Sequence, residues 1–430
     1  MRNKCLWNRI GLGLASGLIY LSGFIGCGVQ DENSSEKNKL LDIRVENPYV
    51  INNFETNNDV DYLVLTDSEF IESKYLVDFL DYRNNGQNVG VVDVSEKSPE
   101  EIDNFIEYAY KNWEASNSKT GKLEKVLLVG NVENVSSKPF VNDWDDKGFD
   151  ETEYSDVDGD GRDDLAVGRF NIDNYVELNN ITEKIYDYES NLESNLRHPF
   201  VLASGYDGGS GNSNLVNSTF YPSLESIEEN HDWESFGFDE LQEKVADELL
   251  KGENIVEIYD SENDYPEGGR FVERDFINQI NDGAYVFDFN GHGDVDMYQT
   301  STDAFDFDSI KKLKNSGIYP IFISHACDTV SLEPGVRNLG TELVNASGKG
   351  AIAYIGSNTL TSDSPYFVRG FYRTLLENDE VTLGEAYLTG IQDIYDMNIF
   401  LNENGFFYSG EDSIVDEMVL LGDPALKVKN

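Results

Sequence analysis

Positive charge is scarce in this sequence: 32 Lys plus Arg face 81 Asp plus Glu, for a formal net charge of -49. A protein that binds nucleic acid needs a basic patch to displace counterions from phosphates, so that class of partner is excluded. Electrostatic adhesion to an anionic membrane surface is excluded on the same ground. Cysteine is scarce too, and three of them cannot make a disulfide framework. Only four histidines are present, which limits any imidazole chemistry to a short slate. Past the first 26 residues no apolar run is long enough to span a bilayer. What the chain does hold is 39% hydrophobic and 12% aromatic residues, enough for packed cores. Its length suits two domains, or one large domain with a small partner.

The N-terminus carries Arg2, Lys4 and Arg9 with no acid before Asp31, followed by an apolar, glycine-rich stretch from Ile10 to Ile25. That order is the order of a secretory signal, and the stretch is short for a permanent anchor. Phe24-Ile25-Gly26-Cys27 resembles the lipobox of bacterial lipoproteins, which implies cleavage after Gly26 and lipid attachment at Cys27. Residues 27–58 are polar and lack periodicity, and read as a flexible tether. The expected location is the bacterial cell envelope, at the outer membrane or cell surface, with the lipid as the sole membrane contact.

Beyond the tether the pattern is α/β. Tyr62–Thr66, Val89–Val94 and Lys125–Val129 are apolar runs of buried-strand type separated by helical periodicity. Ser98-Pro99-Glu100-Glu101 is a helix start, with an N-cap hydroxyl, proline at the first position and acids facing the dipole. Residues 131–164 read as an acidic loop. A second series of strands is expected near 199–204, 254–259, 284–289, 319–325 and 350–355, with a strand, turn and strand over 418–428. Strands alternating with helices predict a mostly parallel sheet covered on both faces. We divide the body into a smaller N-terminal α/β subdomain, 59–193, and a second α/β domain, 194–430.

Two of these strands run into reactive residues: Ala284–Phe289 into Asn290-Gly291-His292-Gly293, and Pro320–Ala326 into Cys327-Asp328. Ligands collect at the carboxyl ends of parallel strands. Cysteine is the strongest side-chain nucleophile near neutral pH, and a nearby imidazole can protonate a leaving amine. Once Cys5 leaves with the signal and Cys27 is acylated, Cys327 is the remaining thiol. A lone cysteine at a strand end is more often a small buried hydrophobe, but exported proteins seldom leave a thiol unpaired without a use for it. His325 lies on the strand beside Cys327 and points alongside the thiol, so a structural role is expected for it, as for His198 and His231.

The ordered pair of strand-His-Gly and strand-Ala-Cys resembles the gingipain family of cysteine peptidases. So do Val126–Gly130, Asp156–Gly161 with Asp164–Arg169, Gly350–Ser357 and Leu421–Leu426. The resemblance runs over roughly residues 60–428. It implies a caspase-like three-layer sandwich with a mostly parallel sheet, and cleavage of protein or peptide substrates through an acyl-enzyme. In that reading His292 is the general acid/base, Cys327 the nucleophile, and the Gly293 and Cys327 N–H groups the oxyanion donors. Asp207 is the candidate to orient the histidine, an ordinary glycine-rich turn being the alternative there. Residues 208–218 hold no Asp or Glu, so no acid for a basic P1 side chain is matched.

Asp156, Asp158 and Asp160, followed by Gly161, repeat the first half of a calcium loop. Position twelve is Val167 instead of an acid, which excludes an EF-hand, but Asp163 or Asp164 could close a different site. The expectation is a structural calcium ion held by Asp156, Asp158, Asp160 and Asp164, the alternative being a solvated acidic turn. The rival to a peptidase is a calcium-stabilised adhesion or scaffold protein on the same fold.

Overall fold

The computed structural model describes residues 43–53, 57–142, 145–205, 238–260, 272–301, 303–361, 365–403 and 415–429. The first strands are β1 (Tyr62–Thr66), β2 (Val89–Asp93), β3 (Lys125–Val129), β4 (Lys138–Val141), β5 (Lys147–Asp150) and β6 (Ala166–Phe170). There follow β7 (Phe200–Ser204), β8 (Ile255–Tyr259), β9 (Val286–Asn290), β10 (Gly293–Asp294), β11 (Met297–Gln299) and β12 (Ala304–Asp306). The last are β13 (Ile321–His325), β14 (Ala353–Ser357), β15 (Val381–Thr382), β16 (Met418–Leu421) and β17 (Lys427–Lys429).

Ten strands form one sheet in the order β2-β1-β3-β6-β16-β14-β13-β9-β7-β8. Along β1, Tyr62 and Val64 enter one core while Leu63 and Leu65 enter a second on the opposite face. Both faces are therefore covered, as the unbroken apolar runs of the strands require. The first core extends from β1 to β17, across the whole sheet. Helix Pro99–Asn112 starts in a full capping box, Ser98 and Glu101 each satisfying the other's backbone N–H.

All pairings in this sheet are parallel except one: β16 lies antiparallel to β14 and parallel to β6. The two halves of the sheet thus run in opposite directions. The amino ends of β3 and β6 share a rim with the carboxyl ends of β9, β13 and β14. Residues 130–165, which connect the end of β3 to the start of β6, must therefore finish at that rim.

Residues 131–164 are more structured than the sequence suggested. They hold the antiparallel β4–β5 hairpin and a short 3-10 turn at Thr152–Tyr154. Their anchor is Arg169 on β6, fully buried, with Nε on Glu151 Oε1 at 2.5 Å, Nη1 on the Gly130 carbonyl at 2.6 Å and Nη2 on Ser137 Oγ at 2.8 Å. A second buried anchor joins the sequence extremes. Asp423 accepts from Tyr62 Oη at 2.8 Å and Arg83 Nε at 2.6 Å, and Arg83 also pairs with Glu189. A third is Lys184, whose buried ammonium donates to the carbonyls of Val344, Lys349 and Ala351, closing the carboxyl end of helix Leu339–Asn345.

Candidate active site

Strands β9 and β13 are neighbours, and the last register pair is Asn290 with His325. Two residues past each lie His292 and Cys327, so the pairing brings the backbone of both residues to the same stretch of the rim. The close packing there depends on glycine. A Cβ on Gly293 would sit 2.8 Å from Ala326 Cβ and 3.0 Å from the Cys327 carbonyl oxygen. The β7 strand end joins them, since Gly205 N–H donates to the Asn290 carbonyl at 2.9 Å. Asp207, two residues further, lies outside the described residues, as do His231 and Cys27.

His292 is exposed, its ring edge-on to Phe238 at 5.2 Å. Among the described residues no carboxylate bonds its ring. Cys327 is partly buried, and its Sγ accepts from the Thr361 N–H at 3.4 Å and lies 3.6 Å from the Thr361 carbonyl oxygen. Burial pushes the thiol upward in pKa, the Thr361 N–H pulls it down, and the charges of Asp328 and Glu417 push it up again. Gly293 opposes Tyr298 in the small β10–β11 ladder, and the adjoining bond is Gln299 N–H to the His292 carbonyl at 2.9 Å. Gly293 is thus at a non-hydrogen-bonded position, and its N–H points away from β11. An outward backbone N–H, a thiol and an imidazole are the groups that acyl transfer to sulfur requires.

Asp328 follows the thiol with φ at 60°. Burial, then the charges of Asp146, Asp294 and Glu333, raises its carboxyl from 3.8 to about 6. His325 faces inward, Nε2 3.6 Å from Oδ1 of the buried Asp288. Asp288 also accepts from Gln242 at 2.9 Å and Tyr372 at 2.6 Å. That places His325 in a core polar cluster. His198 packs against Gly283, where a Cβ would come within 2.2 Å of its Nδ1.

In the acidic loop, Asp156, Asp158 and Asp164 each bring a carboxylate oxygen within 4.8 Å of the others. Asp160 stands outside this group and accepts from Arg162 N–H at 3.0 Å. Asp156 folds the loop by accepting from the N–H groups of Gly159 and Gly161, both at 2.9 Å. Asp164 Oδ2 is buried without a hydrogen-bond partner. A buried, unpartnered oxygen facing two further carboxylates suits a hard divalent cation.

The family model for Peptidase family C25 matches residues 55–429. This chain belongs to peptidase family C25. The C25 chain is therefore a cysteine-type peptidase. No curated protein matches it. Its fold is similar to that in the crystal structure of the Arg-specific cysteine proteinase gingipain R (RgpB), with TM-score 0.65 and 19% identity over 87% of this chain and 79% of that one. The complex of Porphyromonas gingivalis RgpB pro- and mature domains aligns with TM-score 0.64 and 19% identity, over 85% of this chain and 79% of that one. A further protease structure aligns with TM-score 0.62 and 19% identity, over 86% and 79%. The gingipain-like, caspase-like α/β architecture expected from the sequence is thereby established. Sequence reading missed the part played by residues 357–361, because a backbone N–H such as that of Thr361 leaves no mark in composition or spacing.

Proposed function

We propose that this C25 peptidase is an endopeptidase of the cell envelope that works through a Cys327–His292 dyad. The observation that supports this reading is the Asn290–His325 register, which ends β9 and β13 side by side two residues before His292 and Cys327. His292 takes the thiol proton as Sγ attacks the scissile carbonyl carbon. The developing oxyanion faces the N–H groups of Gly293 and Cys327. As the C–N bond breaks, His292 returns the proton to the departing amine. A water molecule, deprotonated by His292, then opens the thioester and frees the acid. Asp207 is proposed to orient the imidazole. Lipid attachment at Cys27 follows from the order of basic, apolar and cysteine segments at the N-terminus.

A calcium ion fits Asp156, Asp158 and Asp164, and supplies only charge neutralisation that fixes the acidic loop. The test is a peptide-library cleavage profile of the full chain and of Cys327→Ala, with and without calcium, beside titration of the active-site thiol. Cleavage retained by Cys327→Ala sinks the dyad. Cleavage lost without a change in thermal melting supports it.

A further inference from the structure

The β4–β5 hairpin comes from the first half of the chain, yet its tip lies on the loop that follows β14 in the second. Asn142 Nδ2 donates to the Leu360 carbonyl at 2.9 Å, and Asp146 Oδ2 accepts from the Leu360 N–H at 2.9 Å. On the other side Asn358 exchanges bonds with Phe149: it accepts from the Phe149 N–H at 2.9 Å and donates to its carbonyl at 3.2 Å. The same Asn358 Nδ2 reaches the Glu417 carbonyl at 2.8 Å, at the foot of β16. Contact is close enough that Gly148 cannot be replaced freely, since a Cβ there would lie 2.2 Å from Asn358 Oδ1 and 2.5 Å from Thr359 Cγ2.

The gripped loop touches the thiol turn twice. Asp328 N–H donates to the Thr359 carbonyl at 2.9 Å, and the Thr361 N–H donates to Cys327 Sγ at 3.4 Å. Residues on both sides of Leu360 therefore bear on the cysteine, while Leu360 itself is held by the hairpin.

We propose that the β4–β5 hairpin is a clamp that holds residues 357–361 against Cys327, with Asn142 and Asn358 as positioning residues for the nucleophile. The proposal rests on Cys327 being that nucleophile. Its physical content is simple. A thiolate is favoured by an N–H fixed toward it, and a loop released by the hairpin no longer fixes that N–H. The charged and titratable groups around the sulfur are Asp328 on its own turn, Glu417 at the foot of β16 and the His292 imidazole of the proposed dyad, with Asp146 beyond Asp328. Asn142 and Asn358 carry no charge, but Asn142 Nδ2 also donates to Glu417 Oε1 at 3.3 Å, so Gly148→Ala is the variant that alters position alone.

The experiment follows alkylation of Cys327 by iodoacetamide against pH in the full chain, read by mass spectrometry of the Cys327 peptide so that other cysteines do not interfere. Asn142→Ala should move the midpoint upward by about one pH unit, the size expected for loss of one hydrogen bond to a charged group. Its kcat should fall roughly 10- to 100-fold with KM little changed, as for a misplaced reacting group. Gly148→Ala, which deletes no polar group and wedges the loop outward, should reproduce the shift. Lys138→Ala, which breaks only the exposed pair with Glu153 on the same hairpin, should leave midpoint and rate as they are. Melting curves show which variants are folded. An unmoved midpoint in folded Gly148→Ala overturns the clamp, whatever Asn142→Ala does. A dyad that fails is recognised separately, by cleavage surviving in Cys327→Ala.

Discussion

The two halves of the sheet are built from the same strand-helix alternation, but they treat polar groups in opposite ways. In the first half, two buried guanidiniums sit among carboxylates and carbonyls. Arg169 makes bonds to Glu151, Ser137 and two carbonyls, and Arg83 sits between Asp423 and Glu189. In the second half, at the rim, the imidazole of His292 is exposed and the thiol of Cys327 meets, among the described residues, the Thr361 backbone. The contrast also sorts the recurrent sequence segments, since Asp164–Arg169 and Leu421–Leu426 supply the buried anchors Arg169 and Asp423 rather than catalytic groups.

The sharpest way to break the contrast is to exchange its consequences. Cys327→Ala should lower peptide cleavage by about 10⁴-fold or more while barely moving the melting temperature. His292→Ala should follow it in activity, whereas His325→Ala should cost stability first, because it opens the buried Asp288 cluster. On the other side of the sheet, Arg169→Met should destabilise by about 3–5 kcal/mol in denaturant titrations, since it strands Glu151 as a buried unpaired charge. Cleavage per folded molecule should fall far less than in Cys327→Ala, because Arg169 bears on the thiol only through the hairpin segment it anchors. If Arg169→Met instead abolished cleavage in fully folded protein, the division between anchors and reactive groups would fail.

Calcium gives a smaller, intermediate effect. At a concentration one hundred times its Kd, binding should raise stability by about 2.7 kcal/mol, and Asp164→Asn should remove most of that gain in thermal melts. The smallest effect concerns Asp328. Its carboxyl is raised in the folded state from 3.8 to about 6, so between those values the folded protein binds more protons than the unfolded chain. Stability should therefore fall as pH rises through that window, and Asp328→Asn should flatten the slope. An equal slope in wild type and variant would assign the dependence to other acids.

Much of this organisation was legible beforehand. The apolar runs located eight of the ten main strands, and the strand at Met418 as a ninth, each to within a few residues. The helix at Pro99 announced itself through its N-cap serine, first-position proline and early acids. His292 and Cys327 stood out as candidates because each follows directly on an apolar strand. The β4–β5 hairpin was not, since Lys138–Val141 is mostly exposed and carries no alternating pattern. Nor was the reversal of direction between the halves. An apolar run reports that a strand is buried, but not which strands lie beside it, and Met418–Leu421 says nothing of β6 or β14.

That inserted strand has a consequence in time as well as space. A chain is made from its N-terminus, and domains assemble as their residues arrive. Here β16 belongs to the centre of the sheet but is among the last strands to be synthesised. Until residues 418–421 take their place, β6 and β14 are two raw edges, and Glu417 is not there to receive Asn358. The cysteine of a growing chain thus has no finished rim around it. Peptidase activity would begin only once β16 is in place, a safeguard written into strand order alone.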